Sequence, residues 1–263
     1  MSRFEIRRDA TRGSMRTAWL DARFSFSFAD HVDPRHPRFG PLLALNEDVV
    51  QPGTGFPMHP HRDLEIVMLP RRGAVDHRDS EGRHMIVRPG ELQWMRAGHG
   101  IRHRQWNASA SDIDHHFQLW FEPSMRGLAP AVERLTFSPP AAGGWQLLLS
   151  PGGGPDVLDI GVDVRLALGR SEAGRPSGID ARPGGGMVLH VMDGELTLHG
   201  AGTEPVVLRR GDAITFFDGV PDLRLETNAF AELLRIDTAA VDPRTGLALA
   251  GSLPFPTLQE SST

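Results

Sequence analysis

The sequence has no cysteine and no tyrosine. Without thiols the chain forms no disulfide, offers no thiolate to a metal and carries no thiol nucleophile. Lysine is missing too. All 28 basic residues are arginine, which removes Schiff-base chemistry and is read most plainly as the mark of a G+C-rich genome. No apolar run approaches the roughly 18–20 residues that span a bilayer, and the opening MSRFEIRRDATRG has no apolar h-region. A cytosolic protein with no membrane association is therefore expected. A clustered basic stripe is also lacking. The net charge is −5, with acidic and basic residues interspersed. Arg71-Arg72 reads as a solvated turn, so no direct contact with nucleic acid is expected.

What is present is the punctuation of an all-β protein: 29 Gly and 21 Pro scattered between short apolar runs. A length of 263 residues suits two domains of roughly 100–130 residues. An internal repeat supports two. Residues 67–107 align without a gap on 188–228, at a constant offset of 121. Gly73 falls on Gly194, Arg88 on Arg209, Gly90 on Gly211, Glu91 on Asp212, Gly98 on Gly219 and Asn107 on Asn228. Each copy reads as alternating runs ended by Gly, Pro or Asp, which points to antiparallel strands. Gly73, Gly90 and Gly98 would supply positive-φ turns. A short connecting helix is expected at most near Ala129 to Leu135. The linker composition PPAAGG places the boundary so that 1–138 forms one barrel and 139–246 a second, with 247–263 an extended tail. A monomer is expected, because two barrels already bury each other.

Eight of the twelve histidines lie between residues 59 and 116, and they are the only soft nitrogen ligands available. In GTGFPMHPHRDLEIV, His59 and His61 are two apart, so a strand projects both onto one face. In GIRHRQWN the same holds for His103 and Gln105. Two such pairs, 42 positions apart, converge when antiparallel strands lie side by side. Three imidazoles suit Fe, Cu, Zn, Ni or Mn. At the repeat offset, His59, His61, His103 and Gln105 become Asp180, Arg182, Arg224 and Glu226. The second barrel is thus expected to lack a metal and to hold an ion pair such as Arg182–Glu226 or Asp180–Arg224 in its place. His77 and His84 flank the Asp79–Gly82 turn and read as exposed. His99 would line the site mouth, His115 would face the interior with His116 turned away, and Glu65 is a candidate buried carboxylate near the metal.

The segments RFSFSFADHVDP, GFPMHPHRDLEIV, VDHRDSEG, PGELQWMRAGHGIRH and HFQLWF resemble the pirin family of the cupin superfamily. They cover residues 20–121, and weaker similarity runs to about residue 240. The resemblance implies two tandem cupin barrels (a bicupin) with one divalent non-haem metal, Fe(II) first and Cu, Ni, Mn or Zn as alternatives. It implies His59, His61 and His103 as ligands, with Gln105 where the family typically has a glutamate as fourth ligand. An amide neither offsets metal charge nor acts as a general base. Similar proteins include quercetin 2,3-dioxygenases, which open a flavonol ring with O₂, and regulatory partners of other proteins. By that resemblance Glu65 and Gln105 are the candidate catalytic residues, Phe56, Met58, Trp94 and Met95 would line the cavity, and the partners are a flavonol-like molecule and O₂. The alternatives are a metal-binding protein-interaction module or a degenerate cupin with weakened metal binding.

Overall fold

The computed structural model describes residues 4–179, 185–200, 204–217, 222–239, 241–242 and 245–246. Its strands in chain order are β1 (Phe4–Arg7), β2 (Gly13–Arg16), β3 (Leu20–Phe24), β4 (Leu42–Val50), β5 (Gly55–His61), β6 (Glu65–Arg72), β7 (Val75–Asp79), β8 (His84–Val87), β9 (Glu91–Arg96), β10 (Ile101–Asn107), β11 (Asp114–Phe121) and β12 (Ala131–Thr136). They continue as β13 (Trp145–Leu149), β14 (Val164–Glu172), β15 (Ser177–Ile179), β16 (Gly185–His199), β17 (Val206–Arg209), β18 (Ala213–Phe216), β19 (Leu223–Glu226) and β20 (Phe230–Ala239). The only helical element among the described residues is a 3-10 turn, Asp9–Thr11. The helix expected near Ala129 to Leu135 is instead β12, paired along its length with β9. Its exposed β-branched and charged residues complete a sheet edge rather than a helical face.

Two compact units divide the chain. One contains residues 13–136 and the other residues 4–12 with the chain from 137 to 246. Residues 4–12 thus belong with the second unit, whereas the sequence boundary assigns them to the first. The reason is β1, which pairs with β18 from Phe4 opposite Phe216 to Arg7 opposite Ala213. The tail at 247–263 lies outside the described residues.

The first unit is a seven-stranded sheet, β12-β9-β6-β11-β4-β3-β2, and a four-stranded sheet, β5-β10-β7-β8. Alternation along each strand decides what enters the barrel. On β10, Ile101, His103, Gln105 and Asn107 are buried while Arg102 is exposed and Arg104 and Trp106 are half-buried. An apolar cluster that includes Leu64, Ile66, Met95, Ile101 and Trp120 stabilises the interior, at about 25 cal/mol per Å² of apolar surface withdrawn from water.

The repeat is visible as register. In the first unit Ile66, Val67 and Met68 pair with Met95, Trp94 and Gln93. In the second, Met187, Val188 and Leu189 pair with Phe216, Thr215 and Ile214, the same partners displaced by 121. Gly73 and Gly194 have φ of 74° and 79°. A Cβ at either would collide with a carbonyl oxygen, of Ile113 and Phe230 respectively, so both positions require glycine. Gly219 lies outside the described residues. In the first unit Gly73 separates β6 from β7; in the second the corresponding residues run on as the single 15-residue strand β16.

Candidate metal centre

Strands β5 and β10 are antiparallel, with His59 opposite His103 and His61 opposite Ile101. Strand alternation then turns all three imidazoles to one side. Their candidate ligand nitrogens lie within 4.8 Å of one another, and the ring centroids are 4.5 to 4.9 Å apart. His61 and His103 are buried; His59 is half-buried at the rim. Gly55, at the start of β5, has φ of 159° and sits against the Gln105 carbonyl, where a Cβ would collide. That close approach accompanies a bulge between His103 and Gln105, the kind of local irregularity that re-aims side chains.

The electrostatics suit a cation. Burial pushes the His61 imidazolium down to about 3, with the His59 charge adding to the effect. Burial, then His61, His59 and His77, holds His103 well below its ordinary value. Burial also lowers His59. All three are therefore neutral bases near pH 7, the form that ligates metal. The His59 Nδ1–H donates to the Pro57 carbonyl at 2.7 Å, which leaves Nε2 with its lone pair. Nδ1 of His61 and Nε2 of His103 are buried without a hydrogen-bond partner. Such orphaned polar atoms cost roughly 1–3 kcal/mol each, and a metal ion held by the triad would satisfy the donor set. Three neutral nitrogens fit a divalent first-row metal.

Gln105 is held by a chain whose direction is fixed by indole chemistry. Trp120 Nε1–H can only donate, and it does so to Gln118 Oε1 at 2.7 Å. Gln118 therefore presents Nε2 to Gln105 Oε1, at 2.8 Å, and Gln105 Nε2 lies 3.1 Å from the Met68 sulfur. The Gln105 oxygen is thus already an acceptor within the protein. The Trp120 ring also meets His61 edge-on at 5.0 Å.

The pirin family model matches residues 5–121. A Mycobacterium tuberculosis H37Rv protein named as a candidate quercetin 2,3-dioxygenase is 37% identical over 222 residues, 81% of this chain and 86% of that protein. This chain belongs to the pirin family. The quercetin 2,3-dioxygenase of Escherichia coli K12 is 39% identical over 161 residues, 61% of this chain and 69% of that protein. The crystal structure of the Escherichia coli pirin YhhW in complex with nickel(II) superposes with a TM-score of 0.83 at 30% identity, covering 91% of this chain and all of that one. The fold of this pirin is accordingly the two-domain, all-β cupin arrangement.

Other residues of this pirin stand where strand parity puts them, and several differ from expectation. Glu65 is buried but on the face of β6 opposite to Met68, accepting from Trp94 Nε1 at 2.7 Å and from Arg96 Nε at 3.2 Å. It is not brought to the triad. Burial pushes its carboxyl up to about 7 against those two donors. Trp94 shares that far face, whereas Met95 joins the interior cluster with Trp120. Phe56 packs edge-on against Trp19 at 5.1 Å, and Met58 is exposed. His84 is half-exposed beside Asp76, at 2.7 Å, and His99 is exposed.

His77 is not exposed but wholly buried, because it lies within β7 rather than in a turn and faces inward opposite Gln105. No local pattern signals this; only the pairing of β7 with β10 does. His115 and His116 are reversed. His116 is buried between Asp114, 2.9 Å from its Nδ1, and Asp48, 3.5 Å from its Nε2. His115 is half-buried against Glu47 at 3.0 Å. Gln118 and Trp120 face the centre, so parity on β11 sends His116 inward too.

The second unit corrects one further expectation. Arg224 and Glu226 pair with each other on the surface, while Leu223 and Leu225 point inward. Ile179 pairs with Leu223, as His59 pairs with His103. With β16 at the offset of 121, Leu198 pairs with Leu225 and His199 with Arg224, where His77 pairs with Gln105 and Arg78 with Arg104. The structural offset on this strand is therefore 120, one less than the sequence offset, and a one-residue slip exchanges the faces of a strand. Leucine stands where His103 stands in the first unit. Asp180 and Arg182 lie outside the described residues.

Proposed function

We propose that this pirin is a metal-dependent dioxygenase that opens the ring of a flavonol-like aromatic molecule with O₂, using one divalent metal held by His59, His61 and His103. Fe(II) is the first choice, with Cu, Ni, Mn or Zn as alternatives. The observation that carries the reading is the triad itself: three neutral imidazoles with converging nitrogens within 4.8 Å and buried, unpartnered ring atoms. The names of the similar proteins supply the reaction class. When bound, the metal would supply a Lewis-acidic, redox-active centre for the substrate oxygens and dioxygen.

The chain's own residues orient and exclude. Met68, Trp120 and Met95 give the interior an apolar wall, which strengthens electrostatic contacts there. Gln105 and Gln118 fix a neutral hydrogen-bonding edge beside His103. Among the described residues no carboxylate joins the triad's donor group, and Glu65 faces away. A substrate whose hydroxyl is already ionised needs no such base. With protein loaded with Fe(II), quercetin consumption under O₂ is expected to depend on His103 and to rise with pH as the flavonol hydroxyl ionises. A metal-loaded protein with no turnover on any flavonol at any pH would contradict the catalytic reading. In that event a triad with no carboxylate in its donor group among the described residues favours a metal-binding module that acts by contacting another protein.

A further inference from the structure

The ring of His77 lies 5.3 Å, centroid to centroid, from that of His103. His77 is wholly buried, and Gln93 and the Asp79 side chain are buried beside it. Register explains the grouping: β7 places His77 opposite Gln105 and Asp79 opposite His103. His77 Nδ1 is 3.4 Å from His103 Nδ1 and 2.9 Å from Gln93 Nε2. His77 Nε2 faces Asp79 Oδ2 at 3.5 Å.

The proton positions follow from the carboxylate. Asp79 accepts from the backbone N–H groups of Glu81 and Arg83, at 3.0 and 2.9 Å, and faces the Arg83 guanidinium at 3.4 Å. It acts as an acceptor, so the His77 nitrogen beside it carries the ring proton. Gln93 donates from Nε2 to His77 Nδ1 at 2.9 Å, which marks that nitrogen as the bare one. Two bare nitrogens facing each other at 3.4 Å would repel, so His103 carries its proton on Nδ1 and directs it at the His77 lone pair that Gln93 also approaches. The other nitrogen of His103, Nε2, is buried with no hydrogen-bond partner, as is His77 Nε2, whose 3.5 Å approach to Asp79 is an electrostatic contact.

We propose that His77 is a positioning residue of the metal centre: backed by Asp79, it accepts the Nδ1–H of His103 and fixes the tautomer in which Nε2 is offered to the metal. The role rests on the metal reading above. Hydrogen-bonded partners behind a ligating histidine set its tautomer, and their loss typically costs about 10–100-fold in metal affinity.

The metal-free wild-type protein is the first test, by ¹⁵N NMR of its imidazoles. His103 is expected as the Nδ1–H tautomer and His77 as the Nε2–H tautomer. In His77→Phe, His103 should lose its fixed tautomer and the affinity for Ni(II), measured by calorimetry, should fall about 10–100-fold. His77→Gln, whose Oε1 accepts the same proton, should recover most of that loss. A proton on Nε2 of wild-type His103, or a folded His77→Phe with unchanged tautomer and nickel affinity, overturns the inference. If His77→Phe does not fold, the wild-type tautomers and the His77→Gln affinity decide it. Nickel binding by His103→Ala as tight as that of the wild type would instead overturn the metal reading itself.

Discussion

Two buried polar groupings in the first barrel differ in kind. The triad is kept neutral by burial, while His116 is kept charged: burial alone would push its imidazolium down, but Asp114 and Asp48 together hold it up to about 10. A folded value above the ordinary 6.5 means that its stabilisation is fully present below pH 6.5 and is lost as the pH rises through 10. Urea midpoints of the wild type should therefore decline over that alkaline window. His116→Leu should cost about 3–5 kcal/mol at pH 6, since two carboxylates are left buried without a counter-charge, and its deficit should shrink at alkaline pH. Gln105 gives a second prediction. In Gln105→Glu the carboxylate still accepts from Gln118 and adds an anionic oxygen near the triad. Metal affinity should rise about tenfold or more, while the metal-free variant melts below the wild type because a charge is buried unpaired. Equal affinities for the two proteins would show that position 105 does not communicate with the metal.

Strand parity carried most of what could be read without coordinates. His59, His61 and His103 come together because a period of two is a property of any strand, whatever its neighbours. His77 was illegible for the converse reason: its inward face depends on β7 pairing with β10, and nothing within VDHRD encodes that partner. Glu65 illustrates the limit from the other side. Its burial was legible, but which face of β6 it occupies depends on Met68 and Ile66 facing the centre. The Arg224–Glu226 pair was misplaced by a single residue fewer in the second repeat, which no composition argument detects. Register also yields a prediction at Gly55. A Cβ there meets the Gln105 carbonyl, so Gly55→Ala should force β5 and β10 apart at the bulge. Both the melting temperature and the Ni(II) affinity are expected to drop. A loss of stability with unchanged nickel affinity would show that the bulge does not set the triad's geometry.

On the scale of the molecule, one repeated pattern serves two interiors. Both units keep the β6–β9 type of pairing at an offset of 121 and the same positive-φ glycine. The first places histidines and amides inside; the second fills the equivalent space with Leu196, Leu198, Leu223, Leu225 and their neighbours. The polar interior bears a desolvation cost that the apolar one does not, and a bound metal would offset it. This account stands on the claim that the His triad holds a metal, so the most direct measurement is elemental analysis of the purified protein beside His103→Ala. Close to one transition-metal ion per wild-type chain, and loss of it in the variant, is the predicted result. No metal in the wild-type protein after incubation with Fe(II) or Ni(II), or equal metal in both proteins, would contradict it.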